Sequence, residues 1–205
     1  MSRRRWRPII DIGVLVSGSG SNLQALIDTP DLGAEIRVVV ADRPGIKALD
    51  RARQAGIPTI VLPWDDFGSR HEFSGAVADT VEGAGAKLMV LAGFMRILSP
   101  EAVNRFPNRI LNIHPSLLPA FPGADAVAQA LAHGVKVTGV TIHAVDEEVD
   151  HGPIIAQRAV PVLPEDDVAA LHARIQVQEH DLYPRVVRAF VAGEATVVDG
   201  EVIWR

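Results

Sequence analysis

The chain has no cysteine. That absence removes disulfides, thiolate zinc sites, cysteine-ligated iron–sulfur clusters and cysteine nucleophiles from consideration. Aromatic residues are scarce, at 5% of 205 positions, and no apolar run approaches membrane-helix length although 48% of the chain is hydrophobic; a membrane helix needs roughly 20 consecutive apolar residues. Basic charge is not in excess either, with 20 Lys and Arg against 25 Asp and Glu and a formal charge of −5. That balance argues against a broad nucleic-acid surface and leaves room for a local anion site. Repeats, low-complexity tracts and linkers are missing as well.

What is present fits an ordinary folded protein. The length predicts one domain, large enough to bury roughly 70% of its unfolded surface without a disulfide or metal. Arg3, Arg4, Arg5 and Arg7 precede the first apolar stretch, which Pro8, Asp11 and Gly13 interrupt too early for a signal peptide. Residues 1–8 therefore read as a disordered basic start, residues 9–205 as the domain, and the cytoplasm as the location.

Short apolar runs alternate with longer amphipathic segments, the pattern of an α/β protein. Strands are predicted over residues 9–16, 36–41, 57–62, 88–92 and 110–114, the fourth central because it is apolar on both faces. Helices are predicted over residues 22–28, 46–55 and 70–84, with left-handed capping at Gly83–Gly85. After a proline-rich loop come a helix over 125–133 and strands over 137–144 and 154–162, the first alternating like a half-exposed antiparallel strand. A helix over 167–192 should be kinked or locally broken at Pro184. Residues 196–198 and 202–204 form a hairpin around Asp199-Gly200. The fold class is an open, mostly parallel twisted sheet with helices on both faces, Rossmann-like, followed by antiparallel strands and a hairpin.

Three motifs carry chemistry. The turn Ser17-Gly18-Ser19-Gly20-Ser21-Asn22 joins a strand to a helix, where free backbone N–H groups and the helix dipole favour phosphate. Its spacing matches neither the dinucleotide nor the triphosphatase fingerprint, and a tight turn with a serine cap stays open as the plainer reading. Asn112-Ile113-His114-Pro115 closes a predicted strand, and strand alternation puts Asn112 and His114 on one face. An amide donor suits a developing oxyanion and an imidazole moves protons near neutral pH. The run Asp146-Glu147-Glu148-Val149-Asp150-His151-Gly152-Pro153 lacks EF-hand spacing. Asp150, beside a sharp turn at Gly152-Pro153, can approach a histidine from another strand.

Together, Asn112, His114-Pro115-Ser116-Leu117-Leu118-Pro119 and Asp150-x-Gly152-Pro153 resemble the active-site signature of the 10-formyltetrahydrofolate-dependent formyltransferases. The turn through Leu23, the segment Leu91-Ala92-Gly93-Phe94-Met95-Arg96-Ile97-Leu98-Ser99-Pro100 and Gln176-x-Gln178-Glu179-His180-x-x-Tyr183-Pro184 narrow the resemblance to the phosphoribosylglycinamide formyltransferase family, over residues 12–204.

The resemblance implies a formyltransferase fold and formyl transfer from 10-formyltetrahydrofolate, as co-substrate, to the amine of phosphoribosylglycinamide in purine biosynthesis. It implies catalytic roles for Asn112, His114 and Asp150, and ribonucleotide contacts for Gly20, Ser21, Asn22 and Glu179. Folate contacts are implied for Arg70, Met95, Arg96, Ile97 and Leu98, for Asn112, and for Asp146, Glu147, Val149 and Asp150 in the loop that reads the pterin. From the residues alone, Glu179 would be an exposed carboxylate, and Met95, Ile97 and Leu98 would be core. The resemblance also implies a cis Leu118–Pro119 bond, small-molecule partners without nucleic acid or membrane, no metal, and either a monomer or a homodimer. One departure is Asp125, where the family usually has histidine; an aspartate beside Asp150 would raise a carboxylate pKa. Among related chemistries, the methionyl-tRNA formyltransferases need a further tRNA-binding domain, and the formyltetrahydrofolate deformylases, which hydrolyse the same donor, need no phosphate turn. A non-enzymatic scaffold would leave Asn112, His114 and Asp150 without a role.

Overall fold

The computed structural model describes residues 10–205, so the expected disordered start, with its four arginines, and Ile9 of the first expected strand lie outside the described residues. Strand β1 (Ile12–Val16) is apolar at every side-chain-bearing position and fully buried. Two crossovers carry the chain outward on one side of it, through α1 (Ser21–Ile27), β2 (Ile36–Ala41), α2 (Lys47–Gln54) and β3 (Thr59–Val61). The chain then returns through α3 (Arg70–Gly83) to β4 (Leu88–Leu91), on the other side of β1, and continues through α4 (Pro100–Arg105) to β5 (Ile110–His114).

After α5 (Ala126–His133), β6 (Val137–Ala144) pairs antiparallel with β5, and β7 (Ile154–Pro161) pairs antiparallel with β6. The seven-stranded sheet runs β3-β2-β1-β4-β5-β6-β7, with β1 to β5 parallel. Helix α6 (Val168–Ala192) packs back over it, and β8 (Ala195–Val198) and β9 (Glu201–Trp204) form the C-terminal hairpin around Asp199-Gly200.

Side-chain alternation sends each central strand into two cores. Ile12, Val14 and Val16 meet α1, α2 and α6 on one face, whereas Leu15, Val38, Val40 and Met89 meet Phe73, Val77 and Val81 of α3 on the other. Between β1 and β4 the connections leave in opposite directions, which opens a crevice at the carboxyl ends of the strands. Ser17, Gly93 and Asn112 lie at that end. None of the helices among the described residues is long and apolar enough to cross a membrane.

The expected bounds of β2, β5 and β6 agree with the structure, and β4 is central as anticipated. Three features differ. Strand β6 is not half-exposed: only Val137 faces solvent. One of its faces joins the α6 core through Val140 and Ile142, and Thr141 on the other bonds to the proline-rich loop, so its polar alternation reflects hydrogen bonding and not solvent. Helix α6 is unbroken through Pro184. Proline removes one backbone hydrogen bond, while Leu171, Ile175, Tyr183, Val187 and other residues of this 25-residue helix stay buried along its length. The Tyr183 hydroxyl shares its proton between the carbonyls of Leu91 and Leu111, at 2.9 and 3.0 Å, and so ties α6 to β4 and β5. Helix α4 was not foreseen: its six residues are too few to show periodicity, although Ser99 caps it and Pro100 opens it.

Gly20 fixes the turn between β1 and α1. Its φ is 71°, and a Cβ there would stand 2.7 Å from the Ala48 backbone on α2. Gly20→Ala must strain the backbone or separate the two helices, so it is expected to cost roughly 1–3 kcal/mol. Urea unfolding measures this directly, and a wild-type midpoint would show that the two helices can part freely.

Candidate active site

The site is assembled from β5, β6 and the two loops that follow β5 and β6. Asn112 and His114 point from the same face of β5 toward Asp150, as the alternation requires. One Asp150 oxygen lies 3.3 Å from His114 Nδ1 and accepts the Gly123 amide at 2.7 Å. The other lies 3.4 Å from Asn112 Nδ2 and 3.5 Å from His143 Nε2. Burial pushes the Asp150 carboxyl up, but the His143 ring, the Gly123 amide and the charge on His114 outweigh it and hold the group below the usual carboxylate range.

Both nitrogens of His114 face acceptors, since Nε2 stands 2.8 Å from the Phe121 carbonyl while Nδ1 faces Asp150. A doubly protonated ring satisfies both contacts. His143 was not singled out from sequence, yet it is buried against the trio. Its Nδ1 donates to the Ala144 carbonyl at 2.9 Å. Its Nε2 is left to accept from Asn112 at 3.1 Å when the ring is neutral, or to donate to Asp150 when charged.

Two loops hold this geometry. The segment after His114 contains the cis Leu118–Pro119 bond that the resemblance implied. Thr141 fixes it: its hydroxyl donates to the Ser116 carbonyl and accepts from the Leu118 amide and from Gln157. Gln157 also donates to the Leu118 carbonyl, at 2.8 Å. Neither Thr141 nor Gln157 carried a sequence signal beyond a polar residue on a strand. In the second loop Asp150 has a φ of 53°, and an added Cβ at Gly152 would collide with the Ala144 carbonyl. The Asp-x-Gly-Pro spacing thus encodes a turn that only glycine at its third position permits.

Asp146 bonds His151 at 2.7 Å and the Glu148 amide at 3.0 Å, Glu147 accepts from Asn104 of α4 at 2.9 Å, and Val149 is exposed. Asp125 caps α5 with φ 58°, is exposed, and makes no side-chain capping bond. The anticipated rise in a carboxylate pKa is not seen at Asp150, whose surroundings lower it.

At the β1–α1 turn, Asn22 is buried and donates to Glu179 of α6 at 2.9 Å. Glu179 is only 4% exposed, so the solvent-facing carboxylate suggested by residue type alone is overturned. Asn22 Oδ1 is buried with no hydrogen-bond partner among the described residues. Ser21 receives a 3.5 Å contact from Gln176. Ser17 is turned inward and accepts the Met95 amide at 2.8 Å, so its side chain does not face the turn's outer surface.

Met95 and Ile97 are 71% and 51% exposed, unusual for large apolar side chains, whereas Leu98 is in the core beside α3. Arg96 pairs with Asp42 at 2.8 Å. Arg70 is exposed in the first turn of α3, behind the Ser69 cap, and pairs with no other described residue. Apolar side chains held in water beside a guanidinium suit a ligand with an apolar body and an anionic end. A separate cleft of about 590 Å³ near β2, β3 and α3, lined by Val38, Ile60 and Thr80, includes none of these residues. No group of three or more His, Asp or Glu among the described residues is placed to hold a metal ion.

The whole chain resembles known proteins closely. The formyl transferase family profile matches residues 10–187. A Haemophilus influenzae phosphoribosylglycinamide formyltransferase is 40% identical, with 92% of this chain and 90% of that protein covered. A trifunctional purine biosynthetic protein adenosine-3 from Drosophila melanogaster is 46% identical over 96% of this chain, which spans only 15% of that longer protein. The crystal structure of glycinamide ribonucleotide transformylase 1 from Symbiobacterium toebii superposes with a TM-score of 0.94 at 45% identity, covering 99% of this chain and 98% of that one. With a profile match over most of its length and near full-length likenesses of this kind, the chain belongs to the formyl transferase family.

Proposed function

We propose that this chain transfers the formyl group of 10-formyltetrahydrofolate to the glycinamide amine of 5'-phosphoribosylglycinamide in purine biosynthesis. The observation that carries the reading is the convergence of Asn112, His114 and Asp150 at the carboxyl end of β5, in a chain similar over most of its length to a bacterial phosphoribosylglycinamide formyltransferase. Residues 10–205 act as one formyltransferase domain, and every residue assigned below comes from one chain. Two small, charged, water-soluble substrates imply a cytoplasmic enzyme without nucleic acid or membrane as partner.

The donor supplies a formyl carbon already activated by its N10. The turn at Gly20, Ser21 and Asn22 offers backbone N–H groups to the phosphate of the acceptor. Asn22 Oδ1, buried and unpartnered, together with Glu179 offers acceptors to hydroxyl groups. Met95 and Ile97 offer apolar surface to the folate, and Arg70 and Arg96 offer charge to its anionic end. Holding both substrates in register contributes roughly 7–11 kcal/mol to such a step.

Asn112 is the amide donor. Its contact to Asp150, at 3.4 Å, is long enough to yield to an incoming oxygen while the 3.1 Å bond to His143 keeps the side chain aimed. His114 holds a proton between the Phe121 carbonyl and Asp150. An oxygen gaining negative charge is a stronger acceptor than a neutral carbonyl, so it draws the Nε2 proton away from Phe121. Asp150 balances the imidazolium and, through a water, carries the proton that leaves the attacking amine toward the departing nitrogen.

Purified protein should therefore transfer formyl only when both the folate and the ribonucleotide are present; folate turnover without the ribonucleotide would mark a deformylase instead. His114→Ala and Asp150→Ala are expected to slow turnover by about 10² or more while substrate affinity, measured by calorimetry, is largely kept. Near wild-type turnover in either variant would sink the catalytic assignment.

The lowered Asp150 pKa has a sign that stability measurements can read. A carboxyl depressed in the folded state stabilises the fold above its unfolded value, and that contribution is lost as pH falls through the folded value. Urea midpoints should drop as the pH falls below about 4, and drop less in Asp150→Asn than in wild type. Equal drops would mean that Asp150 is not held ionised by its neighbours.

A further inference from the structure

Asp42 follows β2, and its side chain is wholly buried. A buried carboxylate is tolerable only when paired and hydrogen-bonded, and Asp42 draws its partners from the ends of β2 and β4. Arg96, after β4, donates Nε at 2.8 Å. Arg43, next in sequence, donates at 3.1 and 3.3 Å. Ser17, after β1, is near enough to help hold the Asp42 carboxyl low, and its hydroxyl accepts the Met95 amide at 2.8 Å.

The Met95–Arg96 segment is therefore held twice, by its backbone to Ser17 and by the Arg96 side chain to Asp42. Trp64 completes the arrangement. Its amide donates to the Asp42 carbonyl at 3.0 Å, its ring meets Phe73 edge-on at 5.0 Å, and the Arg96 guanidinium carbon lies 4.8 Å from the centre of that ring. Arg96 is thus fixed along its Nε edge and across one face. Its side chain keeps 28% exposure, and Met95 and Ile97 stand out in solvent on either side.

We propose that Asp42 is a positioning residue of the folate subsite: through Arg96 Nε it holds the Arg96 guanidinium against Trp64, so that the outer N–H edge meets a carboxylate at the anionic end of the folate. This rests on the formyl-transfer reading above. A guanidinium fork recognises a carboxylate through two parallel N–H bonds, and a fork already immobilised loses little further freedom when the ligand arrives. Replacing Asp42 by a neutral residue frees Arg96 to rotate, without touching Asn112, His114 or Asp150.

The test compares wild type with Asp42→Asn, Arg96→Ala and the double variant. Turnover kinetics give KM for each substrate and kcat, and calorimetry gives the affinity for monoglutamyl tetrahydrofolate in the absence of turnover. Asp42→Asn is expected to raise the folate KM and the tetrahydrofolate Kd about tenfold, with kcat and the ribonucleotide KM changed less than about twofold. In the Arg96→Ala background the same substitution should add almost nothing, since its effect passes through Arg96.

Unchanged tetrahydrofolate affinity, equal losses in both backgrounds, or a joint fall of kcat with both KM values would overturn the proposal and leave Asp42 a structural tie. Should Asp42→Asn fail to fold, Trp64→Leu provides the second reading: a raised tetrahydrofolate Kd supports the stacked guanidinium, and an unchanged one refutes it. An Asp42-dependent tetrahydrofolate affinity in a protein that transfers no formyl group would count against the proposed function and not against this inference.

Discussion

A single carboxylate, Asp150, joins the pieces of this site. It meets His114 from β5, His143 from β6 and the Gly123 amide from the loop after the cis proline, and it stands within reach of Asn112. Each contact fixes a segment that would otherwise be free to move at the open end of the sheet. The carboxylate is itself held by a loop that must enter left-handed backbone at Asp150 and pass so close to Ala144 that only glycine fits at position 152. Geometry and charge state are therefore one constraint: the donors that place Asp150 are the groups that keep it ionised.

The sheet explains why such a cluster forms here. Connections leaving β1 and β4 in opposite directions uncover the carboxyl ends of the central strands. Both proposed subsites border that crevice, one at the β1–α1 turn with Asn22 and Glu179, the other at the segment after β4. Asp42 does for the second what Asp150 does for the catalytic trio, since each is a buried acid drawing donors from neighbouring strand ends. Arg96 shows how an acidic chain can present a fixed positive group, because an acid behind it sets its place, and net charge has little part in it.

Much of this was legible in the sequence, for identifiable reasons. The bounds of β2 and β5 follow from apolar runs with sharp ends, and the facing of Asn112 and His114 follows from a period of two. What stayed hidden depends on tertiary neighbours. Glu179 looks exposed on helical periodicity and is buried because Asn22 lies opposite. The polar residues of β6 look solvated, yet Thr141 and His143 are satisfied internally, one by the loop at Ser116, 25 residues earlier in the chain, and the other by the trio. Pro184 looks like a break, and the packing of α6 along its length outweighs the lost hydrogen bond. Asp42 carried no motif at all; its part emerges only when the ends of β1, β2 and β4 are seen side by side.

The central claim is that His114 and Asp150 act as one unit in formyl transfer. Its most direct test is a double-mutant cycle on ribonucleotide-dependent turnover, with His114→Ala, Asp150→Ala and both together. Groups that act as a unit are strongly non-additive, so the double variant should be little slower than the slower single one. If the two losses simply multiply, His114 and Asp150 work independently, and the coupled mechanism described for this site is wrong.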